Sequence, residues 1–151
     1  MKKYSTATMR GNWLLRDLLI AAGIAIALVT GGCATISTYD EKSYEKVTAC
    51  KAEVLNLMNK ATTPYDSNKE EIEVVFLDVN KAYQYDKNRP LNKITIAMWD
   101  LIRDPNRDTY AGFLVIWKEK STLHQGFIDE KKAQVGEAFD QISGLESGKI
   151  R

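Results

Sequence analysis

One histidine, two cysteines and a few runs of carboxylates are the residues of this 151-residue chain whose types could do chemistry. His124 stands alone, which limits catalysis sharply. A carboxylate di-iron site in a helical bundle needs Glu-x-x-His on two helices and a zinc hydrolase needs His-Glu-x-x-His; neither pattern occurs. The position of His124 beside a predicted helix start reads as that of a solvated terminus residue. The carboxylates gather as Glu41 with Glu45, as Glu70, Glu71 and Glu73, and as Asp129 with Glu130, each with lysines nearby. Mixed charge of this kind reads as the outer face of a helical protein and not as an acid–base pair. The serines lack the Gly-x-Ser-x-Gly elbow of an acyl-transfer nucleophile. No glycine loop beyond residue 33 could cradle a phosphate. The sequence therefore predicts no enzyme, no metal site and no dissociable cofactor. The thiol of Cys33 is the group whose setting suggests a reaction.

Cys33 closes a segment with the three parts of an export signal: a basic lead of Lys2, Lys3, Arg10 and Arg16, an apolar run at 18–29, and a small-residue exit at Gly31 and Gly32. Twelve residues at ~1.5 Å each make a helix of about 18 Å, well short of the roughly 30 Å that a spanning helix must cross. The ending Val29-Thr30-Gly31-Gly32-Cys33 resembles the lipobox of bacterial lipoproteins. That resemblance implies removal of residues 1–32, a diacylglycerol on the Cys33 sulfur and an N-acyl chain on its new amino group. One acyl chain holds a protein only marginally and two anchoring signals hold it stably, so attachment would be permanent. In such lipoproteins an Asp directly after the cysteine favours retention at the inner membrane; Ala34 stands there instead, implying the outer membrane, facing the periplasm. The competing reading is an uncleaved anchor that borrows residues 30–36, with Cys33 an ordinary thiol, although Thr, Gly, Cys and Ala add little transfer energy. Translation could begin at Met1 or at Met9.

Residues 33–151 suffice for one core and are too few for two ordinary domains. The expected organisation is a signal at 1–32, a lipidated cysteine and short tether at 33–38, and one helical domain at 39–151. Without residues 1–32 the chain keeps 17 basic and 19 acidic side chains, a net charge of −2. A nucleic-acid binder would need a basic surface to displace phosphate counterions, so the balance argues against that class. With Cys33 acylated, Cys50 has no partner within the chain. It lies on an apolar stripe and reads as a small buried hydrophobe.

The elements follow from three-and-four spacing. Thr38 with Glu41 fits a capping box opening a helix at 39–61, with Tyr44, Val47, Cys50, Val54, Leu57, Met58 and Ala61 on one stripe. Residues 62–66 break the pattern, and Ser67 with Glu70 opens a second helix at 68–87, whose face is Ile72, Val75, Phe76, Val79, Ala82 and Tyr83. Asn88-Arg89-Pro90 stops it. Residues 94–96 and 113–117 have strand-like composition, but Leu91, Ile94, Met98, Leu101 and Ile102, and then Tyr110, Phe113, Leu114 and Trp117, keep helical spacing. They predict two helices joined at Asp104, which would cap the second with Pro105 in its first turn. Thr122 with Gln125 gives a weaker capping signal for a last helix at 123–145. The expected fold is all-α: an antiparallel four-helix bundle with a broken third helix, after an N-terminal lipoprotein signal helix.

Three stretches resemble a family of small bacterial lipoproteins without an assigned function. They are Cys33-Ala34-Thr35-Ile36-Ser37-Thr38-Tyr39-Asp40, the joint Trp99-Asp100-Leu101-Ile102-Arg103-Asp104-Pro105-Asn106-Arg107, and the ending Ala138-Phe139-Asp140-Gln141-Ile142-Ser143-Gly144-Leu145-Glu146-Ser147-Gly148-Lys149. The resemblance implies a lipidated, all-helical protein and brings no catalytic residue. The expected role is a non-enzymatic, membrane-anchored envelope module that binds another envelope protein. A carrier of a small apolar molecule or lipid, with a cavity lined by Tyr83, Met98, Trp99 and Phe139, is the alternative. The stretch around Val115 is apolar nearly all round if helical. Val115 and Ile116 are then either covered by a neighbouring segment or part of an exposed contact surface.

Overall fold

A computed structural model of the chain describes residues 37–148, all of them within one compact unit, Thr35–Arg151. The signal at 1–32, Cys33 and the tail beyond Gly148 lie outside the described residues. The fold is all-α, as the spacings predict. Among the described residues five α-helices follow one another: α1 Glu41–Met58, α2 Lys69–Lys87, α3 Lys93–Arg103, α4 Tyr110–Lys120 and α5 Gln125–Ser147. Two 3₁₀ turns, Asn59–Thr62 and Tyr65–Asn68, lead from α1 to α2. Among the described residues there is no strand; the buried residues Thr95, Trp99 and Ile102 of α3 and Tyr110, Phe113, Leu114 and Trp117 of α4 recur at helical spacing. None of the described helices is long and apolar enough to cross a membrane.

The stripes read for α1 and α2 are largely buried faces, though Tyr44 is exposed; around α3 the reading fails for Leu91, Ile94 and Leu101, which are exposed, because the helix turns Thr95, Trp99 and Ile102 inward instead. Val47, Cys50, Val54, Leu57 and Met58 of α1 meet Ile72, Val75, Val79 and Ala82 of α2 and Val135, Phe139 and Ile142 of α5 in one core. α1 packs on α2 and α5, while α3 packs on α2, α4 and α5. Five aromatic side chains, Trp99, Trp117, Tyr110, Phe113 and Phe139, are wholly enclosed. Each such burial is worth roughly 1.5–3 kcal/mol, and the rings add directional contacts: Trp99 meets Phe139 edge-on with centroids 5.8 Å apart, and Phe113 stacks on Phe127 at 6.4 Å. Cys50 is the buried hydrophobe expected of it. Burial, with Glu53 and Asp78 nearby, pushes its thiol up to about 12, so it stays protonated and unreactive.

The helix starts differ from expectation. Asp40, and not Thr38, caps α1: its Oδ1 accepts the Ser43 N–H at 2.9 Å. Asn68 precedes α2, and its amide donates back to Thr63 Oγ1 and the Pro64 carbonyl, so the Ser67–Glu70 box does not form. Asp104 ends α3 and does not cap α4. Its Oδ1 accepts from the Asn106 N–H at 2.9 Å, closing a local turn, and that bond leads the causes that hold its carboxyl below the usual range. α4 begins after Thr109. His124 caps α5, its Nδ1 accepting the Gly126 N–H at 3.1 Å. The lone histidine is thus a cap at an exposed helix start.

Candidate functional site

The sequence places no chemistry at the end of the domain where the described chain begins, yet the structure buries a charged cluster there. Four helix ends meet: the start of α1, the end of α2, the start of α3 and the end of α5. Asp86 lies one turn beyond Ala82 and Tyr83 on the buried face of α2, and Glu146 lies four residues beyond Ile142 on that of α5. Both carboxylates are enclosed. Each sits next to the last residue of its helix, where the macrodipole disfavours an anion. A cation is required there, and Arg89 supplies it from just past the end of α2.

Arg89 uses its whole fork. Nη1 donates to Asp86 Oδ1 at 3.1 Å and to Glu146 Oε2 at 3.0 Å; Nη2 donates to Ser37 Oγ at 3.1 Å and to the Thr38 carbonyl at 2.6 Å. Nε lies 3.8 Å from Asp40 Oδ2. Burial alone would lower the guanidinium pKa, but the bonds to Glu146 and Asp86 more than offset it and raise it further. Asp86 also accepts from Ser43 Oγ at 2.6 Å and from Trp99 Nε1 at 2.7 Å. Thr95 Oγ1 donates to Glu146 Oε1 at 3.3 Å, and Asn92 Nδ2 to the Asp86 carbonyl at 3.0 Å. Partial burial works against the Asp40 carboxylate, yet bonds from Ser43 N–H and Tyr85 and the charge of Arg89 bring its pKa below the usual range.

Every carboxylate in this cluster is engaged by hydrogen bonds. What the arrangement does is mechanical. It binds the segment entering α1 to the ends of α2 and α5, and Ser37 N–H adds a backbone bond to the Leu91 carbonyl at 3.1 Å. Ser37 is consequently buried, four residues after Cys33.

The other sequence-stated sites fall elsewhere. None of Tyr83, Met98, Trp99 and Phe139 lines the cleft found among the described residues. Tyr83, Trp99 and Phe139 are buried core, Met98 packs against it, and Trp99 fills the space with its ring on Phe139 and its N–H on Asp86. A cleft of about 290 Å³ opens instead between Tyr65, Ile72, Glu73, Phe76, Arg103, Pro105, Ala111 and Leu114. It is near the lower limit for small-molecule pockets. Arg103 at its edge is occupied, with Nε on Asn80 Oδ1 at 2.8 Å and the guanidinium 3.8 Å over the Tyr83 ring.

On α4, residues 110–114 and Trp117 are buried. Val115 is 38% exposed and Ile116 is half-buried against the core, so the fully covered alternative does not hold for Val115. Carboxylates of the Glu41–Glu45, Glu70–Glu73 and Asp129–Glu130 runs form no metal-holding group among the described residues. Comparison with protein-family models, with curated proteins and with solved structures returned no match.

Proposed function

We propose that the chain is a non-enzymatic envelope lipoprotein, anchored through acylated Cys33 in the outer membrane and presenting its helical domain to another envelope protein in the periplasm. The observation that carries this reading is the burial of Ser37 beneath Arg89. A domain that begins so soon after Cys33, on a segment bonded to two helix ends, is held close to its anchor with little freedom to swing. Such a design suits a module that meets its partner near the membrane. Val115 and Ile116 are the surface we assign to that partner, since an exposed valine beside a half-buried isoleucine offers an apolar contact.

In-membrane photocrosslinking from position 119, one turn beyond Val115, tests this. The expected result is a discrete protein adduct that Val115→Lys weakens while folding stability stays within about 0.5 kcal/mol of wild type, as for other surface changes. A second reading, carriage of a small apolar molecule, is favoured by the cleft beside Leu114. Absence of any protein adduct, together with an apolar ligand retained by the purified protein, would replace the first reading with the second.

A further inference from the structure

We infer that the end of the domain bearing Leu91, Ile94 and Tyr39 rests on the lipid bilayer, so that the anchored protein has a fixed membrane-facing side. The inference builds on the anchor reading above. Cys33 lies four residues before Ser37, a reach of at most about 14 Å at ~3.5 Å per residue. Ser37 is itself bonded through its backbone to Leu91. An anchored Cys33 therefore keeps Ser37, and Leu91 bonded to it, within about that reach of the headgroup layer, whatever path the intervening residues take.

Leu91 is costly to the domain in isolation. Its φ is +58°, a left-handed backbone that glycine adopts readily and a leucine does not, and its side chain is 53% exposed. It gains neither relaxed backbone nor burial within the protein. An apolar environment outside the protein would supply the burial that its side chain lacks. Ile94, in the first turn of α3, is also 53% exposed, and Tyr39, two residues from Ser37, is 37% exposed. Aliphatic side chains with a tyrosine are the composition that partitions into the membrane interface. Lys42, Lys87 and Lys93, at the ends of α1, α2 and α3 that gather here, are exposed. They suit anionic headgroups, with Glu41 as the opposing acid in the first turn of α1.

The test uses full-length protein purified with its anchor and reconstituted into vesicles of phosphatidylethanolamine and phosphatidylglycerol. A polarity-sensitive fluorophore is attached at Leu91→Cys, at Ile94→Cys, or at Thr62→Cys. Thr62 lies beyond the far end of α1, roughly 30 Å away at ~1.5 Å per residue; Cys50, buried and protonated, does not compete for label. The expected result is blue-shifted emission at positions 91 and 94, lost on vesicles with brominated acyl chains, and water-like, unquenched emission at 62. Vesicle-bound protein with water-like emission at all three positions would overturn the inference and leave the anchor standing. Protein that fails to float with vesicles would overturn the anchor reading and the inference with it.

Discussion

Replacing Arg89 with methionine should lower the folding stability of the domain by about 3–5 kcal/mol, the range for removing one partner of a buried ion pair. Methionine keeps much of the aliphatic stem and removes the fork. Asp86 and Glu146 would then lose their shared cation while still enclosed at the C-terminal ends of α2 and α5. Ser37 Oγ and the Thr38 carbonyl would lose the donor that holds the incoming chain. Arg89→Lys should recover only part of the loss, because one ammonium cannot serve two carboxylates and a carbonyl from the positions that two guanidinium nitrogens occupy. Adding Asp86→Asn and Glu146→Gln to Arg89→Met should restore stability in part, since neutral amides cost less to bury than unpaired charge. Urea midpoints for these variants would check the series. A loss under about 1 kcal/mol for Arg89→Met, the size of a surface ion pair, would mean that the cluster is not load-carrying in the fold.

Gly112→Ala should be nearly as damaging, at about 3 kcal/mol, toward the upper end for overpacking. A β-carbon at residue 112 would stand 1.9 Å from the Arg107 carbonyl oxygen and 3.4 Å from that of Pro105. The obstacle is backbone, and it is pinned. Arg107 N–H donates to the Asp104 carbonyl at 3.1 Å, Asn106 N–H to Asp104 Oδ1 at 2.9 Å, and Thr109 Oγ1 to the Leu101 carbonyl at 2.6 Å. Relief requires that loop to move away from α4, exposing Phe113 and Tyr110. Thermal unfolding of the variant measures the cost. Gly144→Ala, where an added β-carbon meets nothing within 4 Å, should leave stability unchanged or slightly raised, because alanine favours helix.

The two sites explain why the sequence was legible in some places and opaque in others. Helical spacing is a local property, so the stripes from Val47 to Met58 and from Ile72 to Tyr83, and the break after Arg103, could be read directly. Caps were read less well because neighbouring residues compete for the same role. Thr38 and Asp40 both could cap α1, and Asp40 prevails with its carboxylate in reach of both Ser43 N–H and Tyr85, while the Thr38 carbonyl is taken by Arg89. The buried cluster leaves a faint trace in the sequence: Ser43, Asp86, Thr95 and Glu146 each continue an apolar stripe with a polar residue near a helix end. That pattern could flag buried polar positions. It could not pair them, because Arg89 and Glu146 are 57 residues apart and meet only when the helices pack. The glycine at 112 was equally opaque, since its neighbour is a loop carbonyl whose path depends on the turn at Asp104.

The proposed anchoring at Cys33 is tested most directly by the intact mass of the protein extracted from the membranes of bacteria that produce it. The expected mass is that of residues 33–151 plus a diacylglycerol and an N-acyl chain, and Cys33→Ala should abolish the acylated species. An unmodified chain that still carries residues 1–32 would contradict acylation at Cys33, and with it the anchor through which the domain is proposed to be held at the membrane.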